Sequence, residues 1–436
     1  MFWIKTILTA LLIPSLFSLF FYLKDKIILK RETVLKLQQN NNDKFSFINL
    51  LLAFVIISLT MFSLYFTLNI FKVWHTNDTL FLITRIAGYI FIGFMFFMMI
   101  YHNKIDKYRR IIFLLFAVGF AIDFLCDLYE ARGHFYFLSQ ENIIQGELPK
   151  CHVGILQSFI PLLLKGEYFS PGKLAYNGMG VTYTVGSVII LWLAVSLALG
   201  RGWCSWACFW GGWDNGFSGL KKKPVIKKIN PKFRWLPFAL LIVVLITSFL
   251  YIAPVYCWWI CPFKTVSEAP KIISPVVIVQ TVVFIIAFLS LVVVLPILTK
   301  KRTQCAFLCP FGAFQSLIDK VNIFKVRIDK DRCIKCKKCI EECPVLSITE
   351  KSLENGNTGL TCTKCGKCID ICPQNAISYH IKGMPKNGKI GKLLSLVSRY
   401  VFLLIAFIFI GTIGGGEIID GMYRILLFIT TGSFVQ

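Results

Sequence analysis

Charged residues are scarce in this sequence: Asp, Glu, Lys and Arg make up 16% of its 436 residues, against roughly 25% in an ordinary soluble domain. The shortage excludes a chain kept in water by a charged surface, and 56% apolar residues exceed what a soluble core requires. Acidic residues are scarcest, 23 against 47 basic ones, for a formal charge of +24. In a soluble chain that excess would suggest nucleic acid. Here Lys and Arg gather in short loops between apolar runs, so no nucleic-acid partner is expected. Histidine is rarer still, with only His75, His102, His134, His152 and His380. His75 and His102 stand near opposite faces, which leaves no paired haem ligands in mid-membrane. The absence of C-x-x-C-H excludes attached c-type haem. His152, beside Cys151, reads as an exposed loop residue, with a ligand or proton-carrying role as the alternative.

What the chain has is long apolar runs. A helix rises about 1.5 Å per residue, so crossing roughly 30 Å of hydrocarbon takes about 20 of them. Eight stretches qualify, at about 2–23, 47–71, 79–101, 111–129, 181–200, 235–256, 274–298 and 394–413. The first has no small-residue cleavage site and runs into Lys24, Lys26, Lys30 and Arg31, so it reads as an anchor. Basic residues crowd loops 24–46, 102–110 and 201–234, while 72–78 has only Lys72 and 130–180 balances four basic residues with four Glu. The positive-inside pattern then gives one serpentine path with residues 299–393 on the cytoplasmic side. The expected location is a bacterial inner, cytoplasmic membrane, with lipid as the surrounding partner. Trp74, Trp203, Trp206, Trp235, Trp258 and Trp259 fall at span ends, where amphipathic rings prefer the headgroup zone. Residues 417–436, after a run of three glycines, read as an interfacial helix or a re-entrant piece.

Cysteine is the other abundance, sixteen in all. Cys333-x2-Cys336-x2-Cys339-x3-Cys343-Pro344 recurs 29 residues later as Cys362-x2-Cys365-x2-Cys368-x3-Cys372-Pro373. This is the bacterial two-cluster ferredoxin spacing, in which the fourth cysteine of each string reaches the other cluster. Cluster one is therefore assigned to Cys333, Cys336, Cys339 and Cys372, and cluster two to Cys362, Cys365, Cys368 and Cys343. A zinc ribbon would use two C-x-x-C pairs instead. Short strands are expected at Ser347-Ile-Thr and Ala376-Ile-Ser.

Three C-x3-C pairs accompany the double string: Arg201-Gly-Trp-Cys204-Ser-Trp-Ala-Cys208, Cys257-Trp-Trp-Ile-Cys261-Pro262 and Cys305-Ala-Phe-Leu-Cys309-Pro310-Phe-Gly-Ala-Phe. Thiols four apart on a helix share one side. Cys204, Cys208, Cys305 and Cys309 are expected to meet at the inner face, as a third iron–sulfur centre, another thiolate-bound metal, or packed free thiols. Cys126, Cys151, Cys257 and Cys261 fall on the opposite, outer side by this path. They are candidates for a further centre, for two disulfides, or for an exchangeable dithiol.

With these residues, about 181–382 resembles the NapH-type and NosR-type membrane polyferredoxins. The resemblance implies a quinol dehydrogenase or electron conduit for a respiratory enzyme. Phe209 in place of a proline after Cys208, the third pair at Cys257 and Cys261, and the N-terminal helices depart from the family. No covalent-flavin motif is visible.

Arg85 and Asp123 both fall in the outer half of predicted spans. A plain ion pair between them is the first reading, and the second is a quinol site with Asp123 as catalytic proton acceptor. Lys335, Lys337, Lys338, Lys364 and Lys367 lie between cluster ligands and read as a basic surface for an acidic donor, a ferredoxin or flavodoxin.

The expected fold is an all-α polytopic membrane protein with an inserted α+β two-cluster ferredoxin-like domain. Its expected parts are a four-helix region at 1–130, an outer loop at 131–180, a three-helix region at 181–300 bearing C-x3-C pairs, the ferredoxin-like domain at 301–382, and a C-terminal helix and tail at 383–436. The expected function is iron–sulfur electron transfer between the quinone pool or a cytoplasmic donor and a redox partner, such as an extracytoplasmic oxidoreductase. The alternative is a maturation factor that reduces a metal or disulfide of an enzyme through Cys257 and Cys261.

Overall fold

The structure, a computed structural model, describes residues 78–132, 151–165, 185–227, 229–251, 253–267, 275–384, 388–410 and 415–435, with 54, 55 and 58. The predicted spans 2–23 and, those three positions aside, 47–71 lie outside the described residues, as do His75 and His134. Among the described residues, four segments are long and apolar enough to cross a membrane: Thr79–Tyr101, Ile189–Phe217, Pro231–Tyr251 and Pro275–Thr299. Of the six predicted spans that fall on described residues, 111–129 and 394–413 are not among these four, so eight spans are not supported. The predicted 111–129 falls within the helix Ile105–Arg132, whose ends carry Asp106, Arg109 and Arg110, then Asp123, Asp127 and Glu130. The predicted 394–413 corresponds to a shorter apolar stretch, Leu394–Phe409.

In chain order the helices of the first half are α1 (Thr79–Tyr101), α2 (Ile105–Arg132), α3 (His152–Lys165) and α4 (Val185–Leu199), followed by α5 (Trp203–Trp206) and α6 (Phe209–Phe217). Helix α2 lies against α6, and Gly212 makes this possible: a Cβ there would strike the Phe113 backbone carbonyl and Ala117. Phe120 and Phe209 then stack with ring centroids 3.5 Å apart. The C-terminal segment Gly415–Thr431 is a helix that packs against α1 and α2. Its Gly421 meets Gly119 backbone to backbone, since a Cβ on Gly421 would stand 2.7 Å from the Gly119 carbonyl oxygen. Small residues at such crossings let two backbones approach within membranes.

The ferredoxin-like part contains one two-stranded antiparallel sheet among the described residues, β1 (Phe324–Ile328) against β2 (Ile377–Ile381). Phe324, Val326 and Ile328 alternate inward, as a strand with one buried face requires. The second expected strand is thus present, whereas Ser347-Ile-Thr is not a strand. The Ser347 N–H is turned to the Cys343 sulfur at 3.2 Å and its hydroxyl to the Gly359 carbonyl at 2.9 Å, so it joins no ladder.

Candidate metal centres

Each cysteine string is a loop that curls back on itself. Lys335 and Lys337 flank Cys336 at φ 54° and 61°, and Lys364 and Gly366 flank Cys365 at φ 50° and 85°. Side chains in this left-handed region cost roughly 1–2 kcal/mol, yet the same pair of turns recurs in both strings. Each string then enters a five-residue helix, Lys338–Glu342 or Lys367–Ile371, ended by Cys-Pro. Cys343 and Cys372 are extended there (ψ 116° and 114°), as a residue before proline must be. Each fourth sulfur accepts an N–H from four residues on: Ser347 to Cys343 at 3.2 Å and Ala376 to Cys372 at 3.3 Å.

These turns bring the cysteines together in crossed sets. Cys333, Cys336, Cys339 and Cys372 line one cavity of about 360 Å³, walled by Ile334, Leu353, Pro373 and Ile377. Cys343 faces the other string, within electrostatic reach of Cys362, Cys365 and Cys368. Burial, then the neighbouring sulfurs of Cys333 and Cys336, push the Cys339 thiol up to about 11. Burial pushes Cys362 up to about 12, with Cys343 adding to it. So many gathered thiols cannot ionise together without a cation, and coordination to iron deprotonates them outright. Among the described residues, no three His, Cys, Asp or Glu side chains close around one point tightly enough for a single metal ion. A four-iron cage takes its ligands from further apart, and this donor set fits it.

The C-x3-C pairs do not lie on single helices as expected. In each, the first cysteine sits in a short helix (Trp203–Trp206, Val255–Trp259, Thr303–Phe307), and one residue breaks it: Ala207 (φ −128°, ψ −8°), Ile260 (−127°, −28°) or Leu308 (−131°, −9°). Cys208 and Cys309 then cap the next helices, Phe209–Phe217 and Pro310–Ile318. The shared break folds the second thiol back toward the first, and it makes the pairs three copies of one device.

Cys204, Cys208, Cys305 and Cys309 form one group, each within electrostatic reach of at least two of the others. Two fully buried arginines stand beside them. Arg302 donates to Asp214 (3.0 Å), the Ser205 hydroxyl (2.9 Å), the carbonyls of Cys204 (2.7 Å) and Gly211 (3.0 Å), and the Cys305 sulfur (3.3 Å). Arg201 donates its guanidinium to Ser316 and its backbone N–H to Asp319 at 3.1 Å. Each arginine precedes its first cysteine by three residues, an Arg-x2-Cys-x3-Cys signal present in the sequence. His152 is buried rather than exposed: it opens α3, 3% accessible, with Nε2 3.1 Å from the Cys208 sulfur.

Four tethers join these loops to the ferredoxin strings, two at the Cys343-Pro344 end of the first and two in the second. The Arg302 N–H donates to the Pro344 carbonyl at 2.8 Å and Lys301 to the Cys343 carbonyl at 2.9 Å. Arg109 bridges the Cys365 and Ser205 carbonyls at 3.0 and 2.9 Å. The Trp206 indole donates to the Lys364 carbonyl at 3.0 Å. Lys364 is accordingly not part of a basic surface: it is 2% accessible, its ammonium on Asp319 (2.6 Å), Asn322 (2.7 Å) and the Leu199 carbonyl (3.0 Å). Lys367 is turned to Glu342 at 2.7 Å.

All sixteen cysteines are free thiols, so the outer set forms no disulfide. Cys151, Cys257 and Cys261 line a cavity of about 380 Å³ with Phe120, Phe124, Trp210 and Phe263. Cys126 does not join them and sits near Asp123 and Arg424 instead. Nor is this cavity at the opposite face from the other pairs. Cys261 is within electrostatic reach of Cys309, and Gln304 donates to the Tyr256 hydroxyl at 2.8 Å. The expected Arg85–Asp123 pair is not formed. Arg85 meets Asp420 at 2.5 Å and Asp123 meets Arg424 at 3.5 Å, both partners lying on Gly415–Thr431. The C-terminal helix therefore supplies the charges that the sequence left ambiguous.

Residues 325–373 match a family described as a 4Fe-4S dicluster domain. A family described as a 4Fe-4S binding domain matches three times, at 181–226, 233–274 and 281–330, one C-x3-C pair to each. The chain is 23% identical over 252 residues to the "Putative electron transport protein YccM" of Escherichia coli, covering 55% of this chain and 64% of that protein. It is 27% identical over 210 residues to the uncharacterized protein MJ0750 of Methanocaldococcus jannaschii, covering 46% and 76%. No solved structure matches. The chain thus carries 4Fe-4S ferredoxin domains, is homologous to a protein named for electron transport, and has, among the described residues, four helices apolar enough to cross a membrane.

Proposed function

We propose that this protein is a membrane-bound electron relay with two [4Fe-4S] clusters in its ferredoxin-like domain and a third iron–sulfur centre among its apolar helices. Cys333, Cys336, Cys339 and Cys372 would hold one cluster, Cys362, Cys365, Cys368 and Cys343 the second, and Cys204, Cys208, Cys305 and Cys309 the third. When bound, such clusters accept and release electrons at potentials set by hydrogen bonds and burial. The observation that carries the reading is the crossing: Cys372 lines the cavity of the first string while Cys343 faces the second. The chain's own residues do the rest. Cys336 is exposed, so the first site opens to a partner in solution. Arg109, Trp206, Lys301 and Arg302 tie the second site to the membrane pairs without an intervening loop.

The finer reading follows the NapH-type and NosR-type likeness: the ferredoxin domain is cytoplasmic in a bacterial inner membrane, and electrons pass between an acidic soluble donor or quinol and a further redox partner. As proton acceptor for a quinol, Asp123 has less support than as a structural anion, because Arg424 also engages Asp127 and Glu130. A maturation role through Cys257 and Cys261 is disfavoured by their place around an apolar cavity rather than on an exposed dithiol. Iron and acid-labile sulfide counted in anaerobically purified protein test the reading. At least about twelve irons per chain are expected. About eight would remove the membrane centre, and zinc in place of iron would remove the whole reading.

A further inference from the structure

We infer that the cavity lined by Cys151, Cys257 and Cys261 is an additional iron–sulfur site, whose cluster is held by three cysteines and takes a non-cysteine fourth ligand. The inference rests on the reading of the chain as an iron–sulfur protein and goes beyond it in residues and in chemistry. The pocket takes in about 380 Å³, open solvent included, close to the 360 Å³ measured the same way for the one formed by Cys333, Cys336, Cys339 and Cys372. Two of its sulfurs accept side-chain N–H donors, where the fourth cysteines of the ferredoxin strings accept backbone ones. The Trp210 indole donates to Cys151 at 3.1 Å, and the Gln157 amide to Cys257 at 3.3 Å.

That amide is fixed in orientation. Its oxygen accepts the Tyr256 N–H at 2.8 Å and its nitrogen also donates to the Val153 carbonyl at 3.0 Å. Donors aimed at sulfur stabilise a cluster's ligands and raise its potential. Cys257 and Cys261 also repeat the helix and break of the other C-x3-C pairs, and Trp210 and Phe263, stacked at 5.1 Å, line one side of the pocket.

The fourth ligand follows by counting. All sixteen cysteines are described. Eight form the ferredoxin sets, four gather beside Arg201 and Arg302, and Cys126 sits with Asp123 and Arg424. Three remain, and they line this cavity. Lys264 lines it as well.

Cyanide is the probe, added to reduced, anaerobically purified full-length protein followed by electron paramagnetic resonance. In the wild type it should shift one cluster's signal and leave the ferredoxin signals unmoved; no shift would overturn the non-cysteine ligand. Cys257→Ser with Cys261→Ser should lose about four irons and four sulfides per chain, along with the cyanide response. Unchanged iron in that variant, or a wild type with only about twelve irons, would overturn the site while leaving the relay reading intact. Wild-type protein without iron would instead overturn the relay itself. The cyanide measurement needs no variant, so it decides even where the double substitution does not fold.

Discussion

At the scale of single residues, the crossing is the most exposed claim. Cys372 belongs to the second string by sequence but to the first cavity by structure. Cys372→Ser should therefore alter the paramagnetic signal and potential of the cluster held by Cys333, Cys336 and Cys339, and Cys343→Ser that of the other. A swapped pattern would show that each string serves its own cluster. The double string was legible because ligation demands fixed spacing. The arginines were not. A basic residue after an apolar run also satisfies the positive-inside pattern, so nothing local marks Arg201 and Arg302 as buried beside the sulfurs. Arg302→Met leaves Asp214 buried without its cation, a loss of roughly 3–5 kcal/mol. The melting temperature in detergent should fall, and iron should be lost first from the membrane pairs. Arg302→Lys should rescue little, because an ammonium cannot reproduce the guanidinium's planar fork.

At the scale of elements, the apolar runs at 79–101, 235–256 and 274–298 foretold helices at Thr79–Tyr101, Leu236–Tyr251 and Pro275–Thr299. Their long-range partners were not foretold. Which helix answers Arg85 and Asp123 depends on Gly415–Thr431 crossing α1 and α2, and no local pattern encodes a contact between Gly119 and Gly421, some 300 residues apart in the chain. The C-x3-C pairs were misread as one helical face because the rule of four assumes an unbroken helix, whereas Ala207, Ile260 and Leu308 break it. Gly421→Ala tests the crossing. A methyl there meets the Gly119 backbone, which cannot yield as a side chain would, and overpacking of this kind costs typically 1–3 kcal/mol. The variant should melt at lower temperature with its iron content unchanged before melting. An unaltered melting temperature would mean that the two helices do not touch there.

At the scale of the whole molecule, a formal charge of +24 should draw acidic partners and hasten their encounter. With Lys364 and Lys367 turned inward, the steering falls to Lys335 and Lys338 and to Lys337, which Glu350 partly offsets at 2.5 Å. Reduction by an acidic soluble ferredoxin should slow several-fold as salt rises from about 0.05 to about 0.5 M, since screening shortens the reach of surface charge. A rate indifferent to salt would remove the steering.

The relay itself, from the exposed Cys336 through the second string to Cys204, Cys208, Cys305 and Cys309, is tested most directly by freeze-quenched paramagnetic resonance after mixing with a reduced soluble ferredoxin. The signals of the double string should rise first and that of the membrane centre after them, and the second phase should vanish in Cys343→Ser. A membrane centre that fills as fast in that variant as in the wild type, or that never fills while the double string is reduced, would contradict the account.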